Sequence, residues 1–235
     1  MQPDGTTIVR LERVGLRYDP NAEVLRDIDL TLAAGTFHFL VGPVGAGKTS
    51  LIRLLNLTQV PSRGRMVLFG RDVAQLDQGE LIALRRRIGI VDQDFRLLDE
   101  MSAFDNLALP LRLADGDAPL PVGQVADLLD WLGLGDVLER RPGALSAGQR
   151  RLLAAGRATI GRPQLLLADC PTCDLDGDSC RRLMRLLLAL HERGTTVVLA
   201  THDERLVRRH GFPTLELAAG GLHRPPALAA SRLRA

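Results

Sequence analysis

The sequence is poor in aromatic residues and cysteines, and it contains no long hydrophobic run. Only 3% of the 235 residues are aromatic, with one Trp and one Tyr, so a hydrophobic core has to consist mainly of aliphatic side chains. The apolar runs are far shorter than the ~20 residues that a membrane-spanning helix needs. Residues 1–7 contain neither the basic nor the apolar region of a signal peptide. We therefore expect a cytoplasmic protein with no membrane span of its own.

The charge and the cysteine content argue against a nucleic-acid-binding protein, a disulfide-stabilised protein and a zinc-binding protein. The 30 Lys and Arg against 28 Asp and Glu leave a net charge of +2, which gives no indication of nucleic-acid binding. The number of cysteines, three, is odd and argues against a disulfide framework. Cys170 and Cys173 have C-x-x-C spacing, but no second Cys or His pair is present to complete a zinc site. With 46% hydrophobic residues, the chain is typical of an ordered α/β domain.

One segment matches the phosphate-binding pattern G-x-x-x-x-G-K-[ST] at every fixed position. This phosphate loop consists of Gly42, Pro43, Val44, Gly45, Ala46, Gly47, Lys48 and Thr49, and a helix that includes Ser50 is predicted to follow it. The glycines allow a tight turn that directs N–H groups at phosphate oxygens, and the helix N-terminus favours the negative charge. Lys48 would reach the β- and γ-phosphates, and the Thr49 hydroxyl would bind Mg²⁺. The loop therefore predicts a nucleotide site.

The remaining pattern predicts an α/β fold. Strands are indicated at Ile8–Leu11, Leu30–Leu32, Thr36–Val41, Arg65–Phe69, Ile88–Val91, Leu165–Ala168 and Thr196–Ala200. The first two are expected in an N-terminal antiparallel sheet, and the last two in a parallel sheet that is buried on both faces. Helices are indicated at Leu81–Arg87, Ala103–Leu113, Val122–Leu132, Ala147–Ile160 and Cys180–Arg193, and the pattern is helical from about residue 95 to 160.

A second set of motifs follows the phosphate loop in a fixed order. Gln93 comes after the strand Ile88–Val91, and Leu145-Ser146-Ala147-Gly148-Gln149 opens a predicted helix. The strand at 165–168 ends in Asp169, a carboxylate in the position that holds Mg²⁺ in phosphate-loop enzymes. Asp176 and His202 complete the set.

This set resembles the ATP-binding subunits of ABC systems over almost the whole chain. The resemblance implies a phosphate-loop NTPase core with a mixed, largely parallel sheet, an antiparallel β-subdomain and an inserted helical subdomain. It implies one domain over 1–235: a core at about 1–94 and 161–224, a helical subdomain at about 95–160 and a peripheral tail at 225–235. The implied ligands are ATP and Mg²⁺.

The resemblance also implies residue roles. Gln93 and His202 would act in catalysis, and Thr49, Gln93 and Asp169 would hold Mg²⁺. Tyr18 would stack on adenine. Two subunits would pair head to tail, so that the residues of the signature loop contact the ATP bound by the other subunit. The residues of this signature loop are Ser146, Ala147, Gly148 and Gln149, and Asp176 is a further residue that would bind the nucleotide.

Within that family the chain looks like the cell-division ATP-binding subunits of the FtsE type. The matching segments are Val91–Leu98, Asn106–Leu111 and the pattern from Ala168 to Asp176. This implies an FtsX-like integral membrane partner and a place on the cytoplasmic face of the inner membrane. The ATPase of a lipoprotein-release or macrolide exporter is an alternative. Nucleic acid is not an expected partner.

Cys170 departs from the family pattern, because it stands where a glutamate polarises the attacking water. A thiol is a weak hydrogen-bond acceptor, so we expect MgATP binding with slow hydrolysis. Other interpretations are that His202 sustains ordinary turnover, that Asp92 or Asp174 serves as the base, or that Cys170 and Cys173 form a redox switch. A further possibility is a nucleotide-gated binding module without significant turnover.

Overall fold

The computed structural model describes residues 7–19, 22–114, 119–173 and 175–223. Two sheets dominate this part of the chain. A four-stranded antiparallel sheet has the order β2-β1-β4-β5, and a six-stranded sheet has the order β10-β9-β3-β8-β7-β6. The strands are β1 (Thr7–Asp19), β2 (Ala22–Ala33), β3 (Phe37–Val41), β4 (Arg63–Leu68), β5 (Arg71–Asp72), β6 (Ile88–Val91), β7 (Leu165–Asp169), β8 (Thr196–Ala200), β9 (Thr214–Ala218) and β10 (Gly221–His223).

Within the described ranges, seven α-helices connect or follow these strands. They are α1 (Lys48–Leu55), α2 (Gln78–Arg85), α3 (Ala103–Ala114), α4 (Val122–Leu132), α5 (Ala147–Thr159), α6 (Gly177–Glu192) and α7 (Glu204–His210). Residues 115–118 lie outside the described residues, as do Asp174 and the tail at 225–235.

The predicted N-terminal antiparallel sheet is confirmed, but its first strand is much longer than Ile8–Leu11. Arg13 adopts a left-handed φ of 46°, and the register against β2 shifts between Leu11 and Val14. This irregularity interrupts the alternation of apolar and polar residues, so the sequence pattern stops at Leu11 although the strand continues. Beyond it, Val14 and Leu16 return to the core with 0% and 1% exposure.

The strands β3, β8, β7 and β6 are parallel neighbours, and both faces of this sheet are covered, as predicted. On one face, Leu165 and Leu167 of β7 pack in a core with α1 and the antiparallel sheet. On the other face, Leu166 and Ala168 pack in a second core with α3, α4, α5 and α6. Since strand side chains alternate, a continuous apolar run is what this double burial requires.

The helical region begins at Ala103 and not near residue 95. Asn106 on α3 is completely buried and holds the preceding loop, because its side chain accepts from the N–H of Leu98 and donates to the carbonyls of Leu98, Met101 and Ser102. These bonds satisfy backbone groups that a helix would otherwise pair internally. Helical periodicity therefore extends into a segment that is a loop.

The parallel strands end at one edge of the six-stranded sheet. The phosphate loop follows β3, Gln93 follows β6, Asp169 ends β7, and His202 follows β8. In open α/β sheets, this carboxyl edge is where ligands bind. The fold therefore assembles four separate sequence motifs at one place. The segment Glu204–His223, which contains α7, β9 and β10, was not assigned from the sequence.

Candidate nucleotide site

The phosphate loop needs glycine at positions where the backbone is left-handed and space is limited. Gly42 has φ 144°, and a Cβ there would lie 2.1 Å from the carbonyl oxygen of Leu217. Gly47 has φ 104°, and a Cβ would lie 2.9 Å from the Cδ2 atom of Leu25. Both residues would force neighbouring atoms apart if they carried side chains. Val44, at the tip of the loop, is 88% exposed, which leaves the loop open to a ligand.

Lys48 lies inside this loop. Its Nζ atom donates hydrogen bonds to the carbonyls of Gly42 at 2.8 Å and Pro43 at 2.9 Å, and the residue is 6% exposed. Burial lowers the pKa of Lys48, while the neighbouring Cys170 and Asp169 oppose that shift. Gly47, the residue before α1, has no side chain to cap the first turn. The helix N-terminus and the lysine therefore offer donors to an anion at the loop.

Asp169 provides a buried carboxylate next to Thr49. The Thr49 hydroxyl donates a hydrogen bond to this carboxylate, and Asp169 is 5% exposed. Its Oδ2 atom has no hydrogen-bond partner in the described protein. Burial raises the pKa of Asp169, and the hydrogen bond from Thr49 opposes that rise. A buried carboxylate oxygen without a partner beside a hydroxyl is a donor set that fits Mg²⁺.

Cys170 follows Asp169 in a left-handed conformation with φ 49°. Its N–H donates to the carbonyl of Ala200 on β8 at 3.0 Å, which fixes the residue at the edge of the sheet. Burial raises the pKa of Cys170 to about 12, and the neighbouring Cys173 thiol, which hydrogen-bonds to it, adds to the rise. Both thiols are free. Cys170 is therefore a neutral thiol at pH 7, which is a poor acceptor for a proton from water.

Gln93 lies on the surface in the loop after β6. Its N–H donates to the Asp92 carboxylate at 2.9 Å, and the other oxygen of Asp92 pairs with the Nε atom of Arg96 at 3.0 Å. Both oxygens of Asp92 are therefore engaged within the loop. Asp92 also lies close enough to Asp169 to raise the pKa of that carboxyl. The other base that the sequence suggested, Asp174, lies outside the described residues.

Two arginines of α5 hold the same loop, and sequence analysis missed both. Arg157 donates through Nη2 to the carbonyls of Phe95 at 2.8 Å and Arg96 at 2.7 Å. Phe95 and Arg96 are both left-handed, with φ of 56° and 43°. The guanidinium of Arg151 lies 4.6 Å from the centroid of the Phe95 ring. A signal was available in the sequence, since these charged residues interrupt the apolar positions of a helix.

The signature loop is built as a helix start, as predicted. Ser146 caps α5: its hydroxyl accepts from the N–H of Gln149 at 3.1 Å, and the Gln149 side chain accepts from the N–H of Ser146 at 2.9 Å. A Cβ on Gly148 would lie 2.8 Å from the hydroxyl of Ser179 on α6. Asp176 caps α6 and accepts from the Ser179 hydroxyl at 2.6 Å. The structure thus brings the signature loop together with Asp176.

The two remaining predicted residues flank the phosphate loop. Tyr18 is 50% exposed, and its hydroxyl lies 3.3 Å from the hydroxyl of Ser50 on α1. His202 is exposed between two anchored residues: the N–H of Thr201 donates to Leu40 at 3.1 Å, and Asp203 caps α7. Both side chains therefore lie at the edge of the candidate site, and their roles there stay predictions.

Comparisons with known proteins agree with this geometry. Residues 25–173 match the profile of the ABC transporter family. The chain is 38% identical over 224 residues to the macrolide export ATP-binding/permease protein MacB 1/2 of Paracoccus denitrificans. It is 37% identical over 186 residues to the methionine import ATP-binding protein MetN of Cupriavidus metallidurans, and 34% identical over 216 residues to the cell division ATP-binding protein FtsE of Escherichia coli.

Solved structures give the same result. A dimeric structure of MJ0796, a bacterial ABC transporter cassette, matches with a TM-score of 0.87 and 30% identity, covering 95% of this chain and 100% of that one. A dimer of the same cassette in a post-hydrolysis state, bound to ADP and Pi, matches with a TM-score of 0.86 and the same coverage.

The fold and the phosphate loop thus define an ABC-type nucleotide-binding domain. The chain belongs to the ABC transporter family as an ATP-binding domain. It spans 33% of the length of the MacB relative, 54% of the MetN relative and 97% of the FtsE relative. Their comparable identities do not single out one of the three. None of the described helices is both long and apolar enough to cross a membrane.

Proposed function

We propose that the protein binds MgATP at the phosphate loop and uses it to bring two copies of the chain together. The observation that carries this proposal is the buried Asp169 carboxylate, whose Oδ2 atom lacks a partner beside the Thr49 hydroxyl. Thr49 and Asp169 would hold Mg²⁺, and Gln93 would complete its ligands. Lys48 would leave the carbonyls of Gly42 and Pro43 for the β- and γ-phosphates.

The other residues of the site would act at its two sides. Tyr18 would stack on the adenine. The remaining backbone and side chains of the phosphate loop, through Ser50, would surround the phosphates. The capped N-terminus of α5, with Ser146 to Gln149, would contact the nucleotide held by the partner copy, and Asp176 would lie in the same interface. The dimeric arrangement of the MJ0796 cassette supports this step.

Hydrolysis should be slow. Cys170 lies where the attacking water would need a base, and its neutral thiol is a weak acceptor. His202 would position the γ-phosphate but would not replace a carboxylate. Loss of a positioned general base lowers a rate on the order of 10²–10⁴-fold. A nucleotide-gated binding module with negligible turnover is the second candidate, and the same observation favours it.

The cellular role follows from the relatives. We propose an FtsE-like subunit that works with an FtsX-like membrane protein at the cytoplasmic face of the inner membrane. Through that partner, closing and opening of the ATP-dependent dimer would control cell-wall hydrolases. The FtsE relative supports this role, because the chain covers 97% of its length. The MacB relative, at 38% identity, supports the exporter alternative.

Steady-state ATP hydrolysis tests the proposal. The wild-type protein would be measured alone and with its membrane partner, beside Cys170→Glu and the matched control Cys170→Ser. We expect low turnover for the wild type and for Cys170→Ser, and a clear gain for Cys170→Glu, with similar ATP affinity in all three. Wild-type turnover equal to that of Cys170→Glu would refute slow hydrolysis. Absence of ATP binding would refute the function itself.

A further inference from the structure

A groove of about 570 Å³ lies between α6 and α7, outside the phosphate loop and the signature loop. Its floor is apolar and consists of Met184, Leu188 and Leu206. Met184 and Leu206 are 4% and 7% exposed, so the floor continues into the hydrophobic core. A concave apolar surface of this size can accept a few side chains of another molecule.

Arginines line the sides of the groove. Arg181, Arg182, Arg185 and Arg209 face it, while Asp178 is the one carboxylate among its described lining residues. Asp178 already pairs with Arg181. The groove therefore has a large excess of positive charge, although the whole chain carries a net charge of only +2.

Three of these arginines, Arg182, Arg185 and Arg209, have no carboxylate partner in the described part of the chain, and Arg182 instead donates to the carbonyl of Leu132 at 3.2 Å. Arg185 extends toward the ring of Trp131, with 5.8 Å between its guanidinium carbon and the ring centroid. Arg209 is exposed on α7 and forms no ion pair with any residue that the structure describes. By contrast, Arg208 on the same helix pairs with Glu204 at 2.8 Å. Arg185 and Arg209 are therefore available to an acidic ligand on opposite sides of the groove.

The two helices that form the groove begin at the candidate nucleotide site. Asp176 caps the start of α6, and Asp203, next to His202, caps the start of α7. A ligand that bridges the two helices would restrain both residues relative to each other. Occupation of the groove would therefore be coupled to the geometry of the site through these two helices.

We propose that this groove binds an acidic amphipathic segment of a partner protein. Apolar side chains of that segment would pack on Leu188 and on the small exposed parts of Met184 and Leu206, and its carboxylates would pair with Arg185 and Arg209. A flat membrane fits less well, because the floor is recessed between two helices. A small inorganic anion fits less well too, because it would leave the apolar floor uncovered.

The test measures fluorescence anisotropy of a short fluorescein-labelled peptide, composed of Glu and Leu in an amphipathic helical pattern, with the full-length protein. Arg209→Glu should weaken binding about tenfold or more, because it removes a charge pair and adds a like charge. Arg208→Glu changes the net charge by the same amount on the same helix but lies outside the groove, so it should leave affinity nearly unchanged. Equal losses in both variants would show binding to net charge alone and would overturn the proposal.

A second measurement uses the unmodified protein. Cys180 lines the groove, so the bound Glu/Leu peptide should slow alkylation of Cys180 by iodoacetamide. Mass spectrometry of the proteolytic fragment of the protein that contains Cys180 measures the rate of this alkylation. An unchanged alkylation rate at saturating peptide would overturn the proposal. So would binding to vesicles of phosphatidylglycerol without binding to the peptide, since that result assigns the surface to anionic lipid. If Arg209→Glu prevents folding, Arg185→Ala is a milder variant, and it should also weaken binding of the peptide.

Discussion

The hydroxyl of Tyr18 lies 3.3 Å from the hydroxyl of Ser50, so the single tyrosine of the chain reaches the helix that follows the phosphate loop. Tyr18 comes from β1 in the antiparallel sheet, whereas Ser50 belongs to α1 under the parallel sheet. The contact therefore connects the antiparallel sheet to α1 beside the phosphate loop. Half of the tyrosine remains exposed and can stack on a planar ligand.

Replacement of this tyrosine should affect nucleotide affinity through the ring and not through the hydroxyl. Tyr18→Ala should weaken ATP binding by roughly 1–3 kcal/mol, the range for stacking of a base on an aromatic side chain. Tyr18→Phe should bind almost as well as the wild type, because it keeps the ring. Isothermal titration calorimetry with Mg²⁺ and ATP gives both values. If Tyr18→Phe lost as much affinity as Tyr18→Ala, the stacking role would be wrong.

The thiol of Cys170 should make stability depend on alkaline pH. Its pKa is raised from 9.0 to about 12 in the folded protein, so the folded state keeps a proton that the unfolded state loses. The contribution to stability is fully present below pH 9 and is lost as pH rises toward 12. Urea unfolding across this range should show a steeper decline for the wild type than for Cys170→Ser. Parallel curves for the two proteins would contradict the burial of a neutral thiol.

Arg157 should control the order of the loop that carries Gln93. Arg157→Ala leaves the carbonyls of Phe95 and Arg96 without their donor, and we expect a loss of roughly 1–3 kcal/mol in the free energy of unfolding. Hydrogen exchange at residues 93–98 should accelerate. Arg157→Lys is the matched control, since it keeps the charge but cannot reproduce the fork of donors. Unchanged exchange in both variants would show that other contacts hold the loop.

The cluster around Arg63 should make stability sensitive to acid. Arg63 hydrogen-bonds to Glu23 at 2.8 Å and to Asp27 at 2.5 Å, and these bonds lower the pKa of both carboxyls. The two carboxylates contribute to the stability of the fold at pH values above their ordinary pKa values of 4.5 for Glu23 and 3.8 for Asp27. This contribution is lost as the pH falls through their lower pKa values in the folded protein. Arg63→Gln should therefore destabilise at neutral pH and approach the wild type in acid.

Thermal unfolding over a pH series checks this. The exposed pair of Arg208 and Glu204 offers a control, because Arg208→Gln should change stability little at any pH. A constant difference between the wild type and Arg63→Gln at all pH values would show that Arg63 acts through packing and not through the two carboxyls.

The sequence predicted those parts of the fold in which local pattern and burial agree. Strands β7 and β8 are buried on both faces, so their apolar runs were unambiguous. The phosphate loop was predictable because Gly42 and Gly47 have to be glycine. The antiparallel sheet was predicted from two of its four strands, and the helical region was predicted with an error at its start.

The remaining features depend on contacts between segments distant in sequence. The positive φ of Arg13 interrupts the alternating pattern, so the second half of β1 was not predicted. The Asn106 side chain forms the hydrogen bonds that helical backbone would form before Ala103, so this loop was predicted as helix. Strand β9 joins the sheet beside β3 through pairing across most of the chain, which a short local pattern cannot reveal. Arg157 interrupts the apolar pattern of α5, but that pattern does not reveal its partners in the loop, the carbonyls of Phe95 and Arg96.

Trp131 gives the protein an optical reporter of its own. The chain contains one tryptophan, which lies on α4 and is 44% exposed beside the Arg185 guanidinium of α6. Emission excited at the red edge of the absorption band therefore originates from this one tryptophan, whose ring lies near the Arg185 guanidinium. A movement of α6 should change the wavelength or the intensity of that emission. This holds whether the movement starts at Asp176 or in the groove between α6 and α7. The motion of the helix can thus be followed in real time without attaching a label.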